Sequence, residues 1–177
     1  MRTVRRPSRG ITLVEAVATM VILATVSGVV SGIVWAGVRA FDEGAESARL
    51  HNEASMAMER MVRDLRAVPL DDTDTPDITS LTAESITWDG STRTLALDGS
   101  DLVLTVAGES GVLLRDVSGF SINAYDGSNN AMASTLTGIQ TDEIRRLSLE
   151  VTASRGRASA TIRTKIFLRC MMLEVGE

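Results

Sequence analysis

The feature that most constrains the fold is an apolar run at residues 11–38, in which Glu15 is the one ionisable residue among 28. A helix rises 1.5 Å per residue, so about 20 apolar residues cross the hydrocarbon core of a bilayer. Four arginines precede the run, and the first ten residues contain no acid. The positive-inside rule therefore predicts a cytoplasmic N-terminus, with the rest of the chain outside the cytoplasm.

Hydropathy alone leaves two interpretations of this run open. The run is long enough to be a retained membrane helix. A secretory signal that is removed after export has the same basic start, and residues 26–28, Val-Ser-Gly, offer it a cleavage site. Glu15 bears on the choice between them. A carboxylate in lipid costs roughly 2.5–3.5 kcal/mol on insertion scales and needs a partner.

The residues before Glu15 suggest what that partner is. Cleavage after Gly10 would remove the basic leader and leave a new α-amine on Ile11. This amine would lie one helical turn from Glu15 in the same chain. Between staggered neighbouring chains, the amine of one chain could neutralise the carboxylate of the next. Alternatively, Glu15 could reach the lipid headgroups from the helix end, which costs little so close to the boundary.

Residues 10–15, Gly-Ile-Thr-Leu-Val-Glu, followed by the apolar run, resemble the class III signal of type IV prepilins and type II secretion pseudopilins. The resemblance covers residues 6–38. It implies that Gly10 and Ile11 are processing residues, because a prepilin peptidase cuts after Gly10 and methylates the new N-terminus on Ile11. It also implies that Glu15 pairs with the N-terminus of a neighbouring subunit during filament assembly. Methylation keeps the amine basic, so the charge pairing remains available.

The charge of the processed chain follows from this cleavage. The whole chain has 18 basic and 23 acidic residues and a formal charge of −5. Removal of residues 1–10 takes away four arginines and no acid, which leaves a formal balance of −9. An acidic body favours solubility and disfavours direct contact with nucleic acid.

The helix is predicted to continue beyond the apolar run as far as about residue 67. Between Pro7 and Pro69 there is no proline, and the residue before a proline disfavours helix. An apolar stripe recurs at spacings of three and four residues, with charged residues between its members: Leu50, Ala54, Met58, Met61, Leu65 and Val68.

A proline- and aspartate-bearing segment at residues 69–80 is predicted to be a linker. Four of its acids, Asp71, Asp72, Asp74 and Asp77, supply the oxygen ligands that Ca²⁺ takes, which makes them weak candidates for a metal site. Their spacing does not fit an EF-hand loop, and a solvated acidic loop is the preferred interpretation.

The residues from 81 onward have strand-like alternation. Asp-Gly pairs at 89–90 and 98–99 stand between apolar runs, as in β-hairpins. Alternating apolar residues recur at residues 117–125, 147–151 and 162–168, and residues 126–138 are predicted to be an exposed loop. The predicted fold class is α+β, a pilin-like architecture in which a long N-terminal helix packs on an antiparallel β-sheet domain.

Five segments result from this division of the chain. They are a cytoplasmic leader peptide at 1–10, a transmembrane or filament-core helix at 11–38, its amphipathic continuation at 39–68, the linker at 69–80 and a globular β domain at 81–177.

Short stretches of the body resemble J-type minor pseudopilins and the related W-type minor pilins. They are residues 61–66, 113–120, 125–127 and 144–151. The resemblance implies a minor subunit at the filament tip that primes assembly. The K-type tip subunit lacks the acid that Glu15 provides here, so it is disfavoured.

An enzyme is not expected. One His and one Cys, His51 and Cys170, make no nucleophile signature, and no glycine-rich phosphate loop follows a strand. No cofactor is expected either. The sequence predicts a structural minor subunit of a pseudopilus or pilus-like filament in the bacterial inner membrane, whose partners are prepilin peptidase and other pilin or pseudopilin subunits, with no direct nucleic-acid contact. The alternative is a secreted or signal-anchored binding domain with an ordinary signal sequence.

Overall fold

The computed structural model describes residues 12–168. One α-helix, α1, spans Leu13–Arg66. It is followed by β1 (Ile78–Leu81), β2 (Ser85–Trp88), β3 (Arg93–Asp98), β4 (Asp101–Val106), β5 (Glu109–Leu114), β6 (Val117–Tyr125), β7 (Leu136–Thr137), a 3₁₀ turn (Gly138–Thr141), β8 (Arg146–Arg155) and β9 (Ala158–Phe167). The predicted leader at 1–10, its cleavage residues Gly10 and Ile11, and Cys170 lie outside the described residues.

The chain divides into two units, the first ending at Gly44 and the second starting at Ala45. The first unit contains the N-terminal part of α1. This part is long and apolar enough to cross a membrane, and none of the apolar stretch is buried within the protein. Its length and composition are therefore those expected of the predicted membrane or filament-core helix.

In the second unit, the C-terminal part of α1 is amphipathic. All six members of the predicted stripe are buried, with Leu50, Ala54 and Leu65 fully inaccessible. The helix ends at Arg66, just before Val68 and Pro69, because the residue before a proline is held in extended geometry. The prediction of the stripe and of its end is confirmed.

The strands form two antiparallel sheets. The larger has the order β5-β4-β3-β2-β1-β7, and the smaller has the order β6-β8-β9. Four of the strands, β2 to β5, follow one another as a meander with short turns. Gly99 adopts a φ of +61° in the turn between β3 and β4, a conformation that favours glycine. The α+β, pilin-like fold class predicted from the sequence is confirmed.

One hydrophobic core joins the stripe of α1 to both sheets. Its largest member is Trp88 at the end of β2, which is 1% exposed. Strands of the smaller sheet alternate as predicted: Leu147, Leu149 and Val151 of β8 are fully buried, while Ser148 between them is not. Burial of these aliphatic side chains supplies the main driving force for the fold, since aromatic residues are only 3% of the chain.

The structure differs from the sequence prediction at both small strands. β1 begins at Ile78, inside the predicted linker at 69–80, because Ile78 and Leu81 are buried and β1 pairs with β2. β7 lies in the predicted loop at 126–138, where Leu136 is buried and pairs with Leu81. β1 has two buried residues three positions apart and β7 has one, so neither strand has an alternation of apolar and polar residues that the sequence could reveal.

Candidate processing and assembly site

The N-terminal end of α1 brings Thr12 and Glu15 together. Thr12 precedes the first helical residue, and its Oγ1 accepts a hydrogen bond from the backbone N–H of Glu15 at 3.3 Å. A threonine in this position satisfies one of the N–H groups that a helix start leaves without a partner. Sequence reasoning missed this role of Thr12, although the Thr-x-x-Glu spacing is the signal of a capping box.

Glu15 is the acid in the first turn of α1, where the helix dipole favours negative charge. Its side chain is exposed, and its carboxylate has no hydrogen bond or ion pair with any residue of the described range 12–168. The helix start thus presents a carboxylate that needs a positive partner from elsewhere once the surrounding segment is in lipid or among other helices. The pairing of this carboxylate with an amine on Ile11 stays a prediction, since Gly10 and Ile11 lie outside the described residues.

The apolar side chains of the first unit are exposed along its length. Leu13 is 84% exposed, Trp35 is 65% exposed and Phe41 is 77% exposed. A Cβ added at Gly28 or Gly32 would meet no atom within 4 Å, so this helix face can be approached closely by another helix. A helix that is apolar all round requires lipid or neighbouring helices to cover it.

The four candidate calcium ligands lie in one loop, and the carboxylates of two of them, Asp71 and Asp77, accept hydrogen bonds from this chain. Asp71 accepts hydrogen bonds from the N–H and hydroxyl groups of both Thr73 and Thr75 at 2.7–3.0 Å. Asp77 accepts one from the backbone N–H of Gly90 at 2.7 Å. Within residues 12–168, no three His, Cys, Asp or Glu side chains come together to hold a metal ion. The loop is organised by donors from its own chain.

These donors lower the pKa of Asp71 from 3.8 to about 2, chiefly through the N–H of Thr75 and the hydroxyl of Thr73. A depressed pKa means that the bonds are fully formed above pH 3.8 and are lost as the pH falls toward 2. We expect the amide resonances of Thr73 and Thr75 to shift in this acid range in an NMR titration. Asp71→Asn should abolish the shift, and a titration midpoint at the ordinary aspartate value would contradict the prediction.

Arg155, at the end of β8, joins α1 to the turn before β6. Its Nε donates to Asp116 at 2.8 Å, its Nη2 to Glu53 at 3.1 Å and its Nη1 to Glu46 at 3.5 Å. The hydrogen bonds to Asp116 and Glu53 raise the pKa of the guanidinium above its ordinary value. The sequence gives no signal for this cluster, because Glu46 and Glu53 are more than 100 residues from Arg155.

We expect Arg155→Met to lower the thermal unfolding midpoint of the chain at low ionic strength. Three carboxylates would then lie together without their shared cation, and their repulsion is largely screened at about 1 M salt. The difference in unfolding midpoint between Arg155→Met and the wild type should therefore become smaller as salt is added. Arg115→Met removes an exposed arginine nearby and should have little effect. Equal midpoints of Arg155→Met and the wild type at low salt would contradict the prediction.

Comparisons with known proteins bear on the N-terminal segment. A family model for the prokaryotic N-terminal methylation motif matches residues 5–31. Comparison of the whole chain with curated proteins gives no match. The matched range includes Gly10, Ile11 and Glu15, and it extends into the apolar part of α1. The motif implies processing by prepilin peptidase and assembly with other pilin subunits, and it favours a structural subunit over an enzyme. Motif and helix together support a membrane-anchored, single-pass, type IV pilin-like protein.

Proposed function

We propose that this chain is a structural minor subunit of a type II secretion pseudopilus or a type IV pilus-like filament. Prepilin peptidase cuts it after Gly10, and it assembles through α1. The observation that carries the proposal is the coincidence of the methylation motif at residues 5–31 with a helix whose apolar residues are exposed. The four arginines of the leader support a location in the bacterial inner membrane with the second unit outside the cytoplasm.

The two environments of such a subunit explain the exposed apolar surface. Before assembly, lipid covers the side chains from Leu13 to Phe41. After assembly, neighbouring α1 helices cover them, so the transfer from lipid to filament replaces one apolar contact with another. Transfer of Glu15 along the same path is favourable only if a cation neutralises its carboxylate, and the amine that cleavage creates on Ile11 supplies that cation.

The N-terminus of the membrane-extracted protein tests this proposal. Intact mass and Edman sequencing should show a chain that starts at Ile11, with or without a methyl group on its amine. A start near Val29 would instead indicate an ordinary secretory signal and a secreted binding domain. An uncut Met1 would indicate a signal anchor. Either result would overturn the assignment to the prepilin class.

The position in the filament is the finer part of the proposal. Similarity of residues 113–120 and 144–151 to J-type minor pseudopilins and W-type minor pilins supports a place at the tip. In the structure, these residues form parts of β5, β6 and β8. A tip subunit should co-purify with other minor subunits at near-equal amounts and should be scarce relative to the major subunit. An abundance equal to that of the major subunit would place it in the shaft.

A further inference from the structure

One edge of the smaller sheet is covered by no strand of the described residues 12–168. Its other edge, β6, bonds to loops of the larger sheet: Val117 donates to the carbonyl of Ser100 and Ile122 to that of Ala83, both at 2.8 Å. β9 pairs with β8 on its inner side. On its outer side, β9 has no backbone partner within residues 12–168. Ten residues make a long free edge, and such an edge is a template for another strand.

The register shows which backbone groups point outward from β9. A two-residue turn joins Arg155 to its partner Ala158, and Leu168 donates its N–H to the carbonyl of Arg145 on the β8 side. Residues of an antiparallel strand direct their hydrogen-bonding groups alternately to the two sides. The even-numbered residues of β9 therefore bond to β8. The odd-numbered residues, including Thr161, Arg163 and Lys165, direct their N–H and C=O groups to the free edge.

A groove lies beside this edge, between β9 and the C-terminal part of α1. Its volume is about 660 Å³. Three of its lining side chains are apolar and buried or half-buried, and three are exposed arginines. We call it the β9 groove. The apolar residues are Met58, Val62 and Ile162, and the arginines are Arg63, Arg66 and Arg163. Side chains of a strand added to β9 would alternate between this groove and the outer face of the sheet.

The charge around the β9 groove is opposite to that of the chain as a whole. The chain has a formal charge of −5, but Glu59 is the one acid among the residues that line the groove, beside three arginines. One of these, Arg163, is paired with Glu150 at 2.7 Å. Arg63 and Arg66 have no hydrogen bond or ion pair with any residue of the described part of the chain. Lys165 adds a further exposed cation on the outer face of β9.

We propose that β9 and the β9 groove bind an extended acidic polypeptide segment of another protein, which adds to the smaller sheet as a fourth strand. Backbone hydrogen bonds to the odd-numbered residues of β9 provide affinity. Apolar side chains of the segment pack over Met58, Val62 and Ile162. Its carboxylates pair with Arg63, Arg66 and Lys165. The proposal goes beyond the filament role and does not depend on it, since β9 and the groove lie within the second unit.

The cations on β9 have a competing explanation, which the experiment must separate from binding. Lysine and arginine on a free edge also protect against unwanted strand pairing. If protection is their whole purpose, the edge should bind no peptide, and cations on α1 should be irrelevant to it. Arg63 and Arg66 stand on α1 rather than on the strand, which favours recognition over protection.

Three labelled peptides test the proposal. Each has about eight residues, which is the length of an ordinary strand. The probe repeats Val-Val-Glu-Glu, so that the alternation of a strand places valines and glutamates on both of its faces, including the face toward the β9 groove. The first control has the same composition with a central proline, which prevents strand addition. The second control replaces glutamate with lysine. Fluorescence anisotropy with the full chain in neutral detergent micelles, corrected for empty micelles, should give a Kd for the probe at least ~10-fold below that of either control.

Two variants on different elements identify the site. Thr161→Pro removes an outward N–H without removing a backbone hydrogen bond to β8, and Thr161→Val matches it in losing the hydroxyl contact with Thr152 at 2.9 Å. The proline variant should weaken probe binding ~10-fold relative to Thr161→Val. The double variant Arg63→Glu/Arg66→Glu should weaken it by a similar factor and reverse its salt dependence, because the groove then repels the acidic probe and salt screens that repulsion. Circular dichroism checks that each variant is folded. If Thr161→Pro is unfolded, the double variant alone decides whether the probe binds at the β9 groove. Equal binding of all three peptides, or no binding of the probe, would overturn the proposal.

Discussion

Glu15→Gln is expected to leave cleavage after Gly10 intact and to reduce the amount of the chain recovered in assembled filaments by at least ~10-fold. Glutamine has the shape of glutamate but no charge, so it cannot neutralise the amine that cleavage creates. An amine without its counter-ion in the filament core carries a cost of the same kind as any unpaired charge in lipid, roughly 2.5–3.5 kcal/mol on insertion scales. Each factor of ten in an equilibrium constant corresponds to about 1.4 kcal/mol, so this cost is large enough for the expected loss of assembly.

The measurement compares two fractions from the same cells. Mass spectrometry of the membrane fraction gives the processed N-terminus, and quantitative immunoblotting gives the ratio of filament to membrane protein. Asp42→Asn is the matched control, because Asp42 is an exposed acid on the same helix but outside the apolar run. Recovery of Glu15→Gln in filaments at the wild-type level would remove the assembly role assigned to Glu15.

Met61→Ala is expected to lower the free energy of unfolding of the second unit by about 2–5 kcal/mol. Met61 is 1% exposed and lies in the core that joins α1 to both sheets. Truncation of a buried side chain loses its transfer free energy and leaves a cavity that the neighbouring side chains fill only in part. The loss is a large fraction of the stability of an ordinary domain.

Met56→Ala provides the matched control, since it makes the same chemical change on the same helix. Met56 is 71% exposed, and alanine is slightly better than methionine as a helix former. Denaturant unfolding followed by the fluorescence of buried Trp88 should show a clear loss of stability for Met61→Ala and almost none for Met56→Ala. Equal stability of the two variants would contradict the packing of α1 on the sheets.

The elements that repeat a pattern over several residues could be predicted from the sequence. Five of the six stripe members lie on α1, and the alternation of burial extends over eight residues of β8 and ten of β9. Pro69 marked the end of the helix, and Asp98-Gly99 marked a hairpin in which Gly99 takes a positive φ. Each of these signals is local, so the sequence contains everything that is needed to read it.

The parts that could not be predicted depend on residues far apart in the chain. The Arg155 cluster joins residues 39 to 109 positions apart, and no spacing rule connects them. β1 and β7 pair through Leu81 and Leu136, two isolated apolar residues in polar surroundings. At the candidate site, Glu15 was identified as the one ionisable residue of the apolar run, and its assembly role came from the resemblance. Thr12 was missed because its role depends on a backbone N–H, which a search for side-chain chemistry does not consider.

The hydrophobic core has a consequence for the biogenesis of this protein. The stripe on α1 is synthesised early, but its last partner strand, β9, emerges roughly 100 residues later, which takes about 5–20 s at ordinary rates of translation. During that interval the nascent chain presents bare aliphatic side chains to water while its N-terminal segment is already entering the bilayer. Until the last hairpin arrives, the stripe lacks part of its packing partners, so aggregation through it competes with folding.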